Sequence, residues 1–403
     1  MTEARSEAQR LIELEDRYSA HNYHPLDVML DRGEGVWLWD IEGKKYMDGL
    51  AAYSAVNQGH NHPRLVEAMQ DQLSRLSLTS RAFRNDRFGP LCQKLCTLLG
   101  YDKALMMNSG AEAVETAIKA ARRWGYDRKG IPEGEAEILV FEGNFHGRTT
   151  TIVGFSTDEG SRRGFGPFGP GFRLLPYGDL ESVAAAIGPR TAAILVEPIQ
   201  GEGGVIIPPA GFLAGLRKLC DEHDALLICD EIQAGLGRAG HWLAHHRDGI
   251  RADGVTIGKA LSGGLYPVSA FLADDEVMSV FDPGSHGSTF GGNPLACAVA
   301  EAALEVIEHE KLCQRSERLG RRFLEELREQ ALPSIRELRG AGLWIGIELH
   351  ESQGGARQYS EALQERGLLL KETHVHTLRF APPLVISDSE LEHALRLIVD
   401  VLS

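Results

Sequence analysis

From about residue 100 to residue 275 the chain repeats one pattern. A short, nearly continuous apolar run is followed by a helical period and then by another apolar run. The runs cover 104–108, 136–141, 173–176, 192–197, 225–230, 254–257 and 268–273, and helical periods cover 111–124, 180–187 and 210–223. A run without polar alternation describes a strand buried on both faces. Strands separated by helices need crossover connections, which lay parallel strands side by side. The pattern therefore predicts an α/β fold built on a mostly parallel seven-stranded sheet flanked by helices. Ligands of such sheets gather beyond the carboxyl ends of the strands. Ser109, Glu197, Asp230 and Lys259 fall at or just past such ends.

The pattern changes outside that stretch. Two long helices are expected at 294–310 and 313–331, strands at 343–349 and 377–380, and a last helix at 388–402. Near the start, 5–20 reads as an amphipathic helix with Leu11, Ile12 and Leu14 on one side. Strands at 35–40 and 45–48 follow, joined by the turn signal Glu42-Gly43. The expected organisation is an N-terminal segment (1–50) that joins a C-terminal small α+β domain (291–403), with a large ligand-binding domain (51–290) between them.

A formal net charge of −15 argues against wrapping nucleic acid or lying on an anionic membrane. No apolar run is long enough to span a bilayer. The segment Met1–Arg10 lacks the apolar core of a signal peptide, so cytoplasmic residence is the expectation. The six cysteines are scattered and read as reduced thiols. Cys92 and Cys96 have one-turn spacing but no matching Cys/His pair nearby, and the histidines fall at loop spacings without a carboxylate partner, so no metal site is expected.

The chemistry-bearing residues come in short segments. Lys259 lies in Thr256-Ile-Gly-Lys-Ala-Leu-Ser-Gly-Gly264, some thirty residues after the apolar run that ends in Asp230-Glu231. A lysine can condense with the aldehyde of pyridoxal phosphate, and a buried aspartate can keep the ring nitrogen protonated. Together they turn that ring into an electron sink. Asn108-Ser-Gly-Ala-Glu-Ala113 ends a strand and opens a helix; Ser109 suits an N-cap, and Gly110 lets a ligand approach free N–H groups that suit a phosphate. The same residues would serve plain helix capping. In Gly143-Asn-Phe-His-Gly-Arg-Thr149, Phe145 can stack on a flat ring and Arg148 can bind a carboxylate. Glu197-Pro-Ile-Gln-Gly-Glu202 offers Glu202 as a partner for an arginine, with Glu197 read as a carboxylate capping the turn. His286-Gly-Ser-Thr-Phe-Gly-Gly-Asn-Pro294 offers Thr289 to a phosphate, its own or a second subunit's, and would serve equally as a plain loop. Gly235-Leu-Gly-Arg-Ala-Gly240 matches a dinucleotide fingerprint in letters only, because neither a following helix nor a ribose-binding acid accompanies it.

Taken in this order, the segments resemble the class III aminotransferases of pyridoxal phosphate fold type I over nearly the whole chain. The resemblance implies pyridoxal 5'-phosphate as cofactor, held by Ser109, Gly110, Ala111, Phe145, His146, Asp230, Gln233 and Lys259, with Ser288 and Thr289 reaching the phosphate from a second subunit. Lys259 and Asp230 are the implied catalytic pair. Within the family, His21-Asn-Tyr-His-Pro-Leu26, Tyr53-Ser-Ala-Val-Asn-Gln-Gly-His60 and Leu378-Arg-Phe-Ala-Pro-Pro-Leu-Val-Ile386 are similar to the branch that acts on the δ-amine of L-ornithine. That branch implies Tyr23, Tyr53, Arg148, Glu202 and Arg379 as substrate residues, 2-oxoglutarate as amino acceptor, and glutamate and glutamate 5-semialdehyde as products. The rival donors are N-acetylornithine and 4-aminobutyrate. A homodimer or a dimer of dimers is implied as well.

Overall fold

All seven apolar runs pair into one sheet of the computed structural model, which describes residues 6–403. In chain order the strands are β1 (Lys103–Met107), β2 (Glu137–Phe141), β3 (Phe172–Leu175), β4 (Thr191–Val196), β5 (Leu226–Asp230), β6 (Gly254–Ile257) and β7 (Ser269–Ala273). Their spatial order is β1-β7-β6-β5-β4-β2-β3. The β3–β2–β4–β5–β6 ladder is parallel throughout, whereas β7 runs antiparallel to both β6 and β1. Every residue of β4, β5, β6 and β7 is buried, as unalternating apolar runs require.

Alternate side chains serve opposite faces. Ile138, Val140, Ala193, Leu195 and Ile228 pack with Val114, Ala117, Ile118, Ala121 and Trp124 of the helix Gly110–Asp127. Leu139, Phe141, Ile194, Val196 and Leu227 point the other way, toward Phe212, Leu213 and Leu216 of the helix Phe212–Glu222. Local signals fix where the helices begin. Ser109 and Glu112 form a reciprocal capping box at Gly110, Ser387 and Glu390 do so before Asp388–Leu402, and Asn293 caps the Pro-initiated helix Pro294–His309.

Two smaller sheets are assembled from segments far apart in sequence. Leu30–Glu34, Trp37–Asp40 and Lys45–Asp48 form an antiparallel meander, and Leu368–Leu369 joins its edge in parallel with Met47 and Asp48. The other runs Ile335–Gly340, Ile345–Leu349, Thr377–Phe380, Lys371–Thr373. The strand expected from 343 starts at Ile345, because Ala341 turns to donate its N–H to the carbonyl of Trp344. The N-terminal helix is Glu7–Tyr18, with residue 5 of the expected span outside the described residues. None of its side chains is buried, so the apolar side of Leu11, Ile12 and Leu14 stays outside the core.

The helix Leu312–Glu329 touches the turn before Ile345–Leu349 at Gly320, where a β-carbon would lie 1.8 Å from the carbonyl oxygen of Gly342. Alanine would gain about 1 kcal/mol of helix propensity. A backbone oxygen cannot step aside, and overpacking of this kind costs about 1–3 kcal/mol or more. Gly320→Ala is therefore expected to lower the free energy of unfolding, by about 2 kcal/mol in urea titration. An unchanged or raised midpoint would contradict this contact.

Candidate active site

The carboxyl ends of β2, β5 and β6 converge on a cleft of about 190 Å³, walled by Gly110, Ala111, Phe145, His146, Asp230, Gln233 and Lys259. It is several times the ~30 Å³ share of one water, so it has room for a small flat ring. Asp230 is the last residue of a fully buried strand and is 4% exposed. Three donors compensate that burial. Its Oδ2 lies 2.6 Å from Nδ1 of His146, and its Oδ1 accepts from the N–H of Ile232 and the hydroxyl of Thr256, each at 3.1 Å. Burial works against a charged His146, but the hydrogen bond and charge of Asp230 outweigh it and raise the imidazole's pKa. The other ring nitrogen, Nε2, is buried and has no hydrogen-bond partner among the described residues.

Lys259 follows β6 in a left-handed backbone conformation (φ 41°) that opens a short 3-10 turn. Burial lowers the pKa of its amine, although Glu202 and Asp230 pull the other way. A depressed lysine pKa favours the free amine, the form that attacks carbonyl carbon and accepts protons. Glu197 comes directly after β4, much as Asp230 closes β5. Its Oε2 accepts the backbone N–H of Phe145 at 3.0 Å, which fixes that aromatic on the cleft wall. Burial pushes Glu197 up to about 8, with Asp230 adding to the rise and His146 opposing it. The sequence reading of Glu197 as a turn cap missed this contact. The available signal was the one that marked Asp230, an acid closing a wholly apolar run.

Gln233 links the cleft to a second cluster, its Nε2 lying 3.4 Å from Oε1 of Glu202. Arg379, on Thr377–Phe380, is buried and donates from Nη1 to the same Glu202 oxygen at 2.7 Å. Burial alone would raise Glu202, yet the guanidinium holds its carboxyl below the ordinary range. The guanidinium also lies 5.0 Å from the centroid of the Tyr53 ring. Tyr53 sits within four consecutive non-glycine residues of positive φ, Ala51 to Ser54 at 49°, 46°, 58° and 72°. Each such residue costs roughly 1–2 kcal/mol, and strain of this kind concentrates at working sites.

The remaining sequence-derived residues lie further out. Ser109 is engaged in its capping box with Glu112. Ser288 accepts from the side-chain amide of Asn108 at 2.8 Å, and Thr289 is exposed. Arg148 is exposed, 5.7 Å over the Phe145 ring, and Tyr23 is 72% exposed, within electrostatic reach of Tyr53. The donor set fits pyridoxal phosphate. It offers a lysine amine of lowered pKa, a carboxylate at the cleft floor, an aromatic wall, and the opening turn of an eighteen-residue helix at Gly110 and Ala111.

Comparison with known proteins agrees with that fit. The aminotransferase class-III family matches residues 18–402. An ornithine aminotransferase of Bordetella pertussis is 56% identical over 397 residues, 98% of this chain and 96% of that one. The solved ornithine aminotransferase of Toxoplasma gondii, described with partial occupancy of PLP at its active site, superposes with a TM-score of 0.97. It is 44% identical and is covered to 94%, against 98% of this chain. The acetylornithine aminotransferase of Elizabethkingia anophelis superposes with a TM-score of 0.89 at 47% identity, covering 99% of both chains.

The raised pKa of Glu197 has a consequence for stability. Glu197 binds its proton more tightly in the folded protein than in the unfolded chain. Its contribution to stability is therefore full below the ordinary value of 4.5 and is lost as the pH climbs to about 8. Glu197→Gln keeps the shape and cannot ionise. The difference in thermal midpoint, variant minus wild type, is expected to grow from about pH 5 to about pH 9. A difference that stays flat across that window would show that Glu197 does not hold the proton.

Proposed function

The chain belongs to the class-III aminotransferases, and on that premise we propose that its cleft moves the δ-amino group of L-ornithine to 2-oxoglutarate. The products are glutamate and glutamate 5-semialdehyde, which cyclises to pyrroline-5-carboxylate, and the two half-reactions alternate on one cofactor in ping-pong order. Pyridoxal phosphate, when bound, supplies an electrophilic carbon for the substrate amine and a conjugated ring that spreads the negative charge left at the reacting carbon.

The protein's own groups do the rest. The N–H groups at the start of Gly110–Asp127 would hold the cofactor's phosphate, which the helix dipole favours there. Asp230, braced by His146 and Thr256, supports positive charge at the cleft floor. Phe145 walls one side. The free amine of Lys259 takes a proton from the substrate's δ-carbon and holds it for return.

One observation carries the choice of substrates: beside Lys259 the buried Arg379 forms an ion pair with the half-buried Glu202. An arginine neutralised in this way offers no free cation to ornithine, whose α-carboxylate and α-amine are left to Arg148 and Tyr23 at the exposed mouth. When 2-oxoglutarate enters, Glu202 swings away, Arg379 grips the α-carboxylate and Arg148 takes the distal one. The pair thus lets one cleft react at a δ-carbon and at an α-carbon in turn. N-acetylornithine is the second reading, favoured by the likeness to the Elizabethkingia enzyme; its blocked α-amine would leave Tyr23 without its charged partner.

The division into 1–50, 51–290 and 291–403 is supported by the pairing of Leu368–Leu369 with Met47 and Asp48. A homodimer is supported by exposed apolar side chains around Thr289. Phe290, Phe83, Leu76 and Leu78 are all exposed, and the loop bearing the last three contacts Gly292 and Leu295. Ser288 and Thr289 would then face the partner's phosphate. Cytoplasmic residence accords with the acidic composition, and no helix among the described residues is long and apolar enough to cross a membrane.

Two experiments test this reading. Holoenzyme mixed with ornithine, without an oxo acid, is expected to lose its cofactor absorbance band and yield pyrroline-5-carboxylate. Bleaching by N-acetylornithine or 4-aminobutyrate instead would reassign the donor. Arg379→Ala removes a charge-assisted contact worth about 1.5–3 kcal/mol, so kcat/KM for 2-oxoglutarate should fall about tenfold to a hundredfold. The ornithine half-reaction should change far less, and equal loss in both would sink the two-substrate role of the pair.

A further inference from the structure

The strained turn under Tyr53 has no glycine to ease it, so something outside the turn must hold it. Asp48 does so directly. It is 4% exposed, and its Oδ1 accepts the N–H groups of both Leu50 and Ala51 at 2.8 Å, the two residues that lead into the turn. Its Oδ2 lies 2.7 Å from Nε2 of His60. His60 is itself locked, because its backbone exchanges hydrogen bonds with Gly35 in both directions, at 2.8 and 3.1 Å. Between Asp48 and the turn lies Gly49. Its carbonyl accepts the N–H of Ala381 at 2.7 Å, two residues beyond Arg379, and its own N–H is donated to Leu369. A β-carbon on Gly49 would meet Leu370 Cδ2 at 2.3 Å and the carbonyl of Leu369 at 2.9 Å, so only glycine permits this approach.

We propose that Asp48 and His60 are positioning residues that press the turn 51–54 against the end of the Arg379 strand, so that the Tyr53 ring fixes the guanidinium where it meets either Glu202 or a substrate carboxylate. Neither residue touches the cleft, and both act through Tyr53. The inference rests on the reading of Arg379 as the oxo-acid anchor. A carboxylate suits the task because one of its oxygens can take two adjacent N–H groups while the other accepts from the imidazole; a hydroxyl cannot do both, and an amide can do so only by donating to His60 in its other tautomer. With that hold removed, the turn can relax toward ordinary φ values and carry the ring away from Arg379.

The test is a comparison of half-reactions in the holoenzyme. Asp48→Ala is expected to lower kcat/KM for 2-oxoglutarate about tenfold, through KM, while the ornithine half-reaction loses less than about threefold. Adding Ala52→Gly, at an exposed position of φ 46°, relieves one of the turn's four strained residues and should restore the oxo-acid half-reaction to within about threefold of wild type. Equal losses in both half-reactions, or no rescue by glycine, would overturn the proposal in favour of a plain structural role. If Asp48→Ala does not fold, Asp48→Asn carries the same test, with a split of about threefold expected and its absence counting against the proposal. A crystal structure of the variant separates this inference from the reading beneath it. A Tyr53 ring displaced from its 5.0 Å position over Arg379 upholds the positioning role even if Arg379→Ala should disprove the oxo-acid role, and a ring left in place refutes it.

Discussion

A carboxylate at the end of a wholly buried strand is the constraint around which this structure is arranged. β5 is buried along its full length and finishes in Asp230. An ionised group there costs several kcal/mol unless donors meet it. Those donors come from three separate places: the loop after β2 supplies His146, the residue two beyond β5 supplies an N–H, and β6 supplies Thr256. Satisfying one carboxylate thus pins three strand ends to one another. Because β6 leads directly into Lys259, the same bonds set where the amine begins. The demand for compensation and the demand for an electron-withdrawing site are met by one set of contacts.

Two glutamates five residues apart show how local partners decide charge in such a place. Both are desolvated, yet Glu197 is raised to about 8 and Glu202 is lowered. Glu197 receives one backbone N–H and faces another carboxylate; Glu202 faces a guanidinium at 2.7 Å. A strand end that opens into a glycine-rich turn can therefore present one acid inclined to keep its proton and another inclined to lose it. The second is the one whose charge must be present for Arg379 to be masked.

The seven-stranded sheet was legible because its signal is collective. Seven apolar runs need no knowledge of one another to be recognised as buried strands, and each lies within a residue or two of its expected place. The reversed direction of β7 was not legible, since an apolar run carries no arrow. Leu30–Glu34 and Lys371–Thr373 were missed because their residues are largely polar and partly exposed, so pairing with neighbours rather than local pattern makes them strands. The turn at Tyr53 was hidden more deeply. Ala51-Ala-Tyr-Ser54 contains none of the residues that advertise positive φ, and the Asp48 carboxylate that takes the N–H groups at its start lies outside it. Among the site residues, strand-end and loop residues next to the sheet converge on the cleft. Ser288, Thr289, Tyr23 and Arg148 lie where the single chain leaves them exposed or engaged elsewhere.

The glycine-rich stretch that imitates a dinucleotide fingerprint shows what such spacing can do without a nucleotide. Gly237 and Gly240 adopt positive φ in a series of turns, and between them Arg238 is fully buried. Its donors reach only neutral oxygens, the carbonyls of Leu343 and Pro382 and the side chain of Asn57. Burial drags its pKa down to about 9, with Asp48 the opposing influence. Hydrophobic packing alone would hold these segments together without fixing their register. A forked guanidinium bound to three separate segments of the chain fixes it, because any slip would strand a buried charge. Pro382 lies just past the strand of Arg379, Leu343 just before the strand paired with it, and Asn57 just after the turn of Tyr53. Arg379, proposed to face the substrate, is thus aligned by a second, fully buried arginine, and the tight turns let that second one in.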